Sequence, residues 1–263
     1  MTMYLGSNSH YLDILKAAGI GATARRVYRD DGTLPQFWPG TQAGTENWWP
    51  GQHVMYSLRP NPDDVLAGHM DVQIKALVAQ APPGSFLTIW HEAGTLNYPG
   101  LVDWKLRQAH VHMHGLCKGS PVAYGVIICG PPAEKFAWVP MPDYPMDWYG
   151  VDIYDGSQYR LADGSLCLTK LYARLDEFLA MARERSGQRW PVLTVPETNS
   201  SVQARRPEWF TAVTDWVRGH NGRHVCTFWN PTGPLSGDWV PGDTATIDAL
   251  IHLAADLGAP QAS

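Results

Sequence analysis

Two hydrophobic periods alternate along the chain. Short unbroken apolar runs, the kind a strand buried on both faces needs, recur at 3–8, 24–28, 53–59, 85–90, 122–129, 149–154, 191–195 and 224–229. Between most of them apolar residues return every three or four positions, the spacing of one buried helix face. The helical stretches read as 11–18, 62–81, 102–117, 168–185, 206–219 and 243–257. The clearest is 168–185, where Leu171, Leu175, Phe178, Leu179 and Ala182 form one stripe. Gly19, Pro82-Pro83-Gly84 and Gly130-Pro131-Pro132 mark stops between elements.

Strands that alternate with helices imply a parallel sheet. Eight such units in 263 residues fit one closed (β/α)8 TIM barrel, a single domain over residues 1–263. An open doubly wound sheet is the second choice. Its first turn would here be Gly6-Ser7-Asn8-Ser9-His10, which is neither a dinucleotide fingerprint nor a Walker loop. Two connections are long, irregular and aromatic: 35–51, with Trp48-Trp49, and the segment with Trp138, Tyr144 and Trp148 among Pro140, Pro142 and Pro145. Long loops without secondary structure are usually functional or disordered. These two are expected to shape substrate subsites.

Composition narrows the function classes. With 44% hydrophobic and 17% charged residues the chain is not of the disordered type. A net charge of -5 and the lack of a basic run argue against nucleic acid as a partner. No run of 18 apolar residues occurs, so no membrane span is expected. The start, Met1-Thr2-Met3-Tyr4-Leu5-Gly6, lacks the basic-then-apolar pattern of a signal peptide. The default expectation is a cytoplasmic monomer, with secretion after loss of a leader, or release by lysis, as the alternative. Cys117, Cys129, Cys167 and Cys226 form no C-x-x-C pair and no zinc-ligand spacing with His, so neither a disulfide framework nor a metal or other cofactor is expected. Cys129 and Cys226 fall in apolar strands and read as buried thiols. The 12 Trp and 11 Tyr suit ordinary packing and, equally, stacking platforms for the flat faces of sugars.

In a barrel of this kind the chemistry sits at the C-terminal ends of the strands. Those ends carry Arg26 and Tyr28; Tyr56, Arg59 and Asn61; Trp90, His91 and Glu92; Asp152, Tyr154 and Asp155; Glu197 and Asn199; and Trp229 and Asn230. Trp148 joins them from the second aromatic connection. A carboxylate at the mouth of a buried strand is costly to desolvate. One alone is usually the ion-pair partner of an Arg. Two, Glu92 after the fourth strand and Glu197 after the seventh, point to a pair acting on one substrate. The set is acidic and aromatic without a phosphate-binding cluster, which suits a neutral polyol. Taken singly, most members also have plain readings. His91 reads as a satisfied strand histidine, Asp152 and Asp155 as a turn cap and a solvated residue, and Trp229 as core. Successive strand residues face opposite sides, so His91 and Glu92 do not chelate one ion. His110, His112 and His114 fan around a helix as surface or packing residues.

The two short strings resemble a family. Clan A retaining glycoside hydrolases are (β/α)8 enzymes with an acid/base Glu after strand four and a nucleophile Glu after strand seven. Most of the clan has Asn before the acid/base. His91-Glu92 instead resembles glycoside hydrolase family 26, the β-mannanase family, and Glu197-Thr198 resembles the Glu-Thr at that family's nucleophile. The family usually follows His-Glu with a Met-Asn-Gly-like segment, whereas here Ala93-Gly94-Thr95 stands. The aromatic commonly placed near the nucleophile is supplied by Tyr154 or Tyr144.

The resemblance implies double displacement on a β-linked oligo- or polysaccharide. Glu197 attacks the anomeric carbon, while Glu92 protonates the leaving oxygen and later deprotonates water. That division needs Glu197 ionised, beside hydrogen-bond donors or a cation such as Arg26, and Glu92 protonated, sheltered by Trp90 or Trp229. A retaining pair stands about 5–5.5 Å apart. Substrate contacts are expected from His91, Trp90, Arg26, Tyr28, Arg59, Asp152, Tyr154, Trp148, Asn199 and Trp229. The competing reading is a carbohydrate-binding barrel that has lost hydrolysis. A metal-dependent hydrolase ranks below both, because His10 stands alone on the first strand.

Overall fold

The structure is a computed structural model. It describes residues 6–8, 24–43, 53–91, 102–129, 136–200, 202–220, 224–225, 245–246, 248–249 and 251–252. The strands are β1 (Gly6–Asn8), β2 (Ala24–Arg29), β3 (His53–Leu58), β4 (Ser85–Ile89), β5 (Val122–Cys129), β6 (Trp148–Asp155), β7 (Leu193–Ser200) and β8 (His224–Val225). They follow one another in chain order across one sheet. β3 pairs with β4 in parallel, Met55 opposite Phe86 and Leu58 opposite Ile89. β4 continues onto β5 through Ser85–Val122 and Leu87–Tyr124. β7 pairs with β8 through Thr194–His224 and Val195–Val225. Parallel strands in chain order with helices between them are an α/β arrangement of the barrel type. The expected helix 11–18, the Trp48-Trp49 stretch and Cys226 lie outside the described residues.

The helices are α1 (Pro62–Leu66), α2 (Asp71–Val78), α3 (Asp103–Cys117), α4 (Leu168–Ser186) and α5 (Arg206–Gly219). The stripe on α4 is buried as expected at Leu171, Leu175, Phe178, Leu179 and Ala182. The single helix expected over 62–81 is two. Asn61 caps α1, its Oδ1 accepting from the Asp63 N–H at 2.9 Å. Gly68 then takes a φ of 72°, which ends the first helix before α2 begins.

Two compact units share the residues. One comprises Met1–Arg25, Val151–Ala180 and Val192–Ser263; the other comprises Arg26–Gly150 and Met181–Pro191. In the second, the aromatic connection before β6 contributes more to packing than its prolines suggest. Trp148 opens β6 and is fully buried, so it is not a loop residue facing a sugar. Its Nε1 donates to the Ala123 carbonyl at 3.0 Å, and its ring stands edge-on to Phe86 at 5.6 Å. Gly125 permits this approach, because a Cβ there would lie 2.3 Å from the indole.

Of the surface and packing roles expected for the alternating histidines of α3, His110 takes the packing one. His110 is completely buried, stacked on Trp138 at 5.2 Å, with Nδ1 2.8 Å from the Tyr124 hydroxyl. His112 Nε2 meets Asp71 at 2.7 Å, and His114 Nε2 meets Asp147 at 3.3 Å. Cys129 is half-buried rather than buried.

Candidate active site

The residues singled out at the strand ends collect into one group in each unit. In the unit holding β3 to β5, Arg26 and Tyr28 lie on β2, Arg59 follows β3, and Trp90 and His91 follow β4. The Arg26 guanidinium lies 4.6 Å from the centre of the Tyr28 ring, a cation–π distance. Tyr28 in turn stands 5.0 Å from the His91 ring, tilted by 53°. Arg59 Nη2 approaches His91 Nε2 at 3.5 Å, a weak contact, while its Nε reaches Asp30 at 3.3 Å. Arg26 and His91 are buried.

Burial, and then the charges of Arg26 and Arg59, hold the His91 pKa well below 6.5, so the ring is neutral near pH 7. An Arg N–H aimed at Nε2 makes that nitrogen the acceptor, which puts the ring proton on Nδ1. Nδ1 has no hydrogen-bond partner among the described residues.

Strand β4 ends at Ile89, one residue before the sequence pattern ends it. Trp90 has a φ of 49°, a left-handed conformation that non-glycine residues seldom adopt. The twist is held by its neighbours: Trp90 N–H donates to the Leu58 carbonyl at 2.9 Å and Nε1 to the Pro60 carbonyl at 2.8 Å. Strained backbone kept by two hydrogen bonds breaks the strand's alternation before His91. Glu92, next in the chain, lies outside the described residues, as do Trp229 and Asn230.

The other unit holds the second group, on β6 and β7. β6 is buried along its length except at Tyr154, which is half-buried. The Tyr154 hydroxyl donates to Glu197 Oε2 in a short hydrogen bond. Tyr144, the other candidate for that role, is exposed in the loop before β6. Glu197 is buried, as is Asp152, two residues before Tyr154 on the same side of β6. Asn199 lies in β7.

The opposite side of the same strands is held by a buried ion pair. Asp155 accepts from Arg160 Nε at 2.8 Å, from Arg160 Nη2, and from Ser200 Oγ at 2.7 Å. Arg160 Nη1 also reaches Glu208 at 3.1 Å. Asp152 and Asp155 are therefore neither turn caps nor solvated residues.

The apolar run of the seventh strand ends at Val195, yet β7 continues through Thr198-Asn199 as far as Ser200. Its small polar residues are anchored one by one. Thr198 Oγ1 accepts from Trp209 Nε1 at 2.7 Å, and the Ser200 carbonyl accepts from Arg206 Nε at 3.0 Å. Sequence reasoning missed Arg160 and Ser200. The available signal was an Arg in the apolar stretch Tyr159-Arg160-Leu161, since a buried guanidinium requires a carboxylate nearby. Among the described residues no group of three or more His, Cys, Asp or Glu side chains is gathered to hold a metal ion, and no helix is long and apolar enough to cross a membrane.

No family model matches the chain, and no curated protein matches its sequence. Solved structures do match. A GH26 β-mannanase from Bacteroides ovatus superposes with a TM-score of 0.63 over 97% of this chain and 89% of its own, at 10% identity. A Bacillus subtilis mannanase gives 0.57 over 96% and 84%, at 12% identity. A GH5 xyloglucan-specific endo-β-1,4-glucanase from a metagenomic library gives 0.54 over 92% and 86%, also at 12% identity. In fold, the chain resembles these GH26 and GH5 proteins along almost its whole length.

Proposed function

We propose that the chain is a retaining glycoside hydrolase that cleaves a β-linked glycan, with Glu197 as nucleophile and Glu92 as acid/base, at the C-terminal end of a closed eight-stranded barrel. The observation that carries the proposal is the hydrogen bond from Tyr154 to the buried Glu197 carboxylate. A phenolic hydroxyl donated to a buried carboxylate fixes the orientation of that carboxylate, as a nucleophile at a strand end requires. The likeness of fold to mannanases and to an endo-β-1,4-glucanase supports the substrate class, a β-1,4-linked backbone of neutral sugars.

The proposed reaction runs in two displacements. Glu197 attacks the anomeric carbon as the bond to the leaving oxygen breaks, and Glu92 gives that oxygen its proton. Glu92, now a carboxylate, takes a proton from water. The water oxygen attacks the same carbon and releases Glu197. The net change is one glycosidic bond exchanged for one water, and no cofactor enters. In this scheme the neutral His91, Arg26, Tyr28 and Arg59 hold the sugar beside Glu92.

The test is release of reducing ends from mannan, xylan and mixed-linkage β-glucan by the purified chain and by Glu197→Gln. The expected outcome is hydrolysis of at least one polymer and a fall of roughly 10⁴-fold in the variant, about 5.5 kcal/mol of barrel-bound catalysis lost. Saturable glycan binding with no reducing sugar released by the native chain would favour a binding protein on the same fold and end the proposal.

A further inference from the structure

Glu197 sits on a strand that is held from both faces. Successive strand residues face opposite sides, so Glu197 and Thr198 point away from each other. Thr198 is wholly buried, and its Oγ1 accepts from the Trp209 indole N–H at 2.7 Å. Trp209 is wholly buried on α5, with the Tyr159 ring tilted against it at 5.5 Å. Tyr159 ends a short 3₁₀ turn, Ser157–Tyr159, that follows β6. β6 and its exit therefore reach both faces of β7. Tyr154 bonds Glu197 directly, and Tyr159 backs the indole that bonds the next residue.

Pro196, directly before Glu197, has no N–H to give a neighbouring strand, so side-chain anchors count for more here than along an ordinary ladder. A rotation of this stretch about the strand axis would swing the Glu197 carboxylate and would also break the Thr198–Trp209 bond. An attacking oxygen misplaced by about 1 Å costs roughly 100-fold in rate. Ser200, on the same side as Thr198, is held by Asp155 and Arg206, both charged. Trp209 is neutral, so its hydrogen bond can be removed without uncovering a buried charge.

We infer that Trp209 is a positioning residue for Glu197: its indole N–H, through Thr198, fixes the rotation of β7 that aims the carboxylate at the anomeric carbon. The inference rests on the reading of the chain as a glycoside hydrolase. The test compares the native chain with Trp209→Phe, Thr198→Val, the double variant and Thr198→Ser. The substrate is whichever of mannan, xylan and mixed-linkage β-glucan the native chain hydrolyses fastest. Rates are referred to the folded fraction at the assay temperature, read from the thermal unfolding curve of each variant. Trp209→Phe and Thr198→Val are each expected to lower kcat by roughly 10- to 100-fold, with KM changed by less than about 2-fold. The double variant should be no slower than the slower single one, since each change removes the same bond. Thr198→Ser keeps the acceptor and should stay within about 3-fold of the native kcat. Native kcat per folded molecule in both single variants, losses that multiply in the double variant, or no folded protein in either single variant makes the bond a packing contact only. Each of these overturns the inference while the hydrolase stands. A native chain that hydrolyses none of the polymers ends the hydrolase reading, and the positioning role with it.

Discussion

A single hydroxyl distinguishes Glu197 from an ordinary buried carboxylate. Tyr154 is the one residue of β6 that is not fully buried, and its hydroxyl ends on Glu197 Oε2. A hydrogen bond to a charged group contributes about 1.5–3 kcal/mol, more than most neutral ones. Tyr154→Phe removes that donor and little else. Steady-state kinetics should show kcat/KM falling by roughly 10- to 150-fold with the melting temperature nearly unchanged. A variant as active as the native chain would contradict the proposed role of Tyr154 in holding Glu197 for attack. At the same scale, Trp90 explains why its strand stops early. The sequence pattern runs apolar through Trp90, and nothing in a run of buried residues signals a φ of 49°. The conformation depends on two carbonyls, of Leu58 and Pro60, that belong to a neighbouring strand and its exit.

Strands buried on both faces are legible from sequence, because unbroken apolar runs have few other uses; β4 and β5 follow their runs closely. What composition hides is where a strand continues through polar residues. Thr198-Asn199-Ser200 reads as a turn, yet β7 runs to Ser200 because Trp209, Arg206 and Asp155 supply partners that lie far away in the chain or on other elements. Trp148 opens a strand for the converse reason: three nearby prolines suggest loop, while Gly125 leaves room for its indole in the core. The buried Asp155–Arg160 pair joins the end of β6 to β7 through Ser200. Asp155→Ala would leave the Arg160 guanidinium buried with Glu208 as its one carboxylate partner among the described residues. Removing one member of such a pair costs about 3–5 kcal/mol. Thermal unfolding of Asp155→Ala should therefore fall on the order of 10 °C below the native chain. A shift within about 2 °C would show the pair to be dispensable.

At the scale of the whole molecule, the order of the described strands was readable from two periodicities, and Glu197 as a carboxylate just past an apolar run. The molecule also carries an acid sensitivity that no motif announces. Burial lowers the pKa of His110 to about 3, and burial with Arg26 and Arg59 holds that of His91 well below 6.5. Both histidines are neutral when folded, whereas the unfolded chain protonates them below about pH 6.5. The unfolded state then binds more protons, so the stability they contribute is complete above pH 6.5 and is lost as pH falls below it. At pH 5 His110 costs about 2 kcal/mol, and His91 acts in the same direction. Urea unfolding should show that loss between pH 7 and 5, and His110→Phe should remove about 2 kcal/mol of it; an identical pH slope in the variant would contradict the assignment. The central claim joins two strands through one reaction, and one measurement addresses both glutamates together. Glu92→Ala, given an aryl β-glycoside with a good leaving group, should form the glycosyl–Glu197 intermediate and stall there. Added azide should then raise turnover and yield the β-glycosyl azide, identified by NMR. The α-glycosyl azide, or no response to azide with hydrolysis of unactivated glycan intact, would contradict the pairing of Glu92 as acid/base with Glu197 as nucleophile.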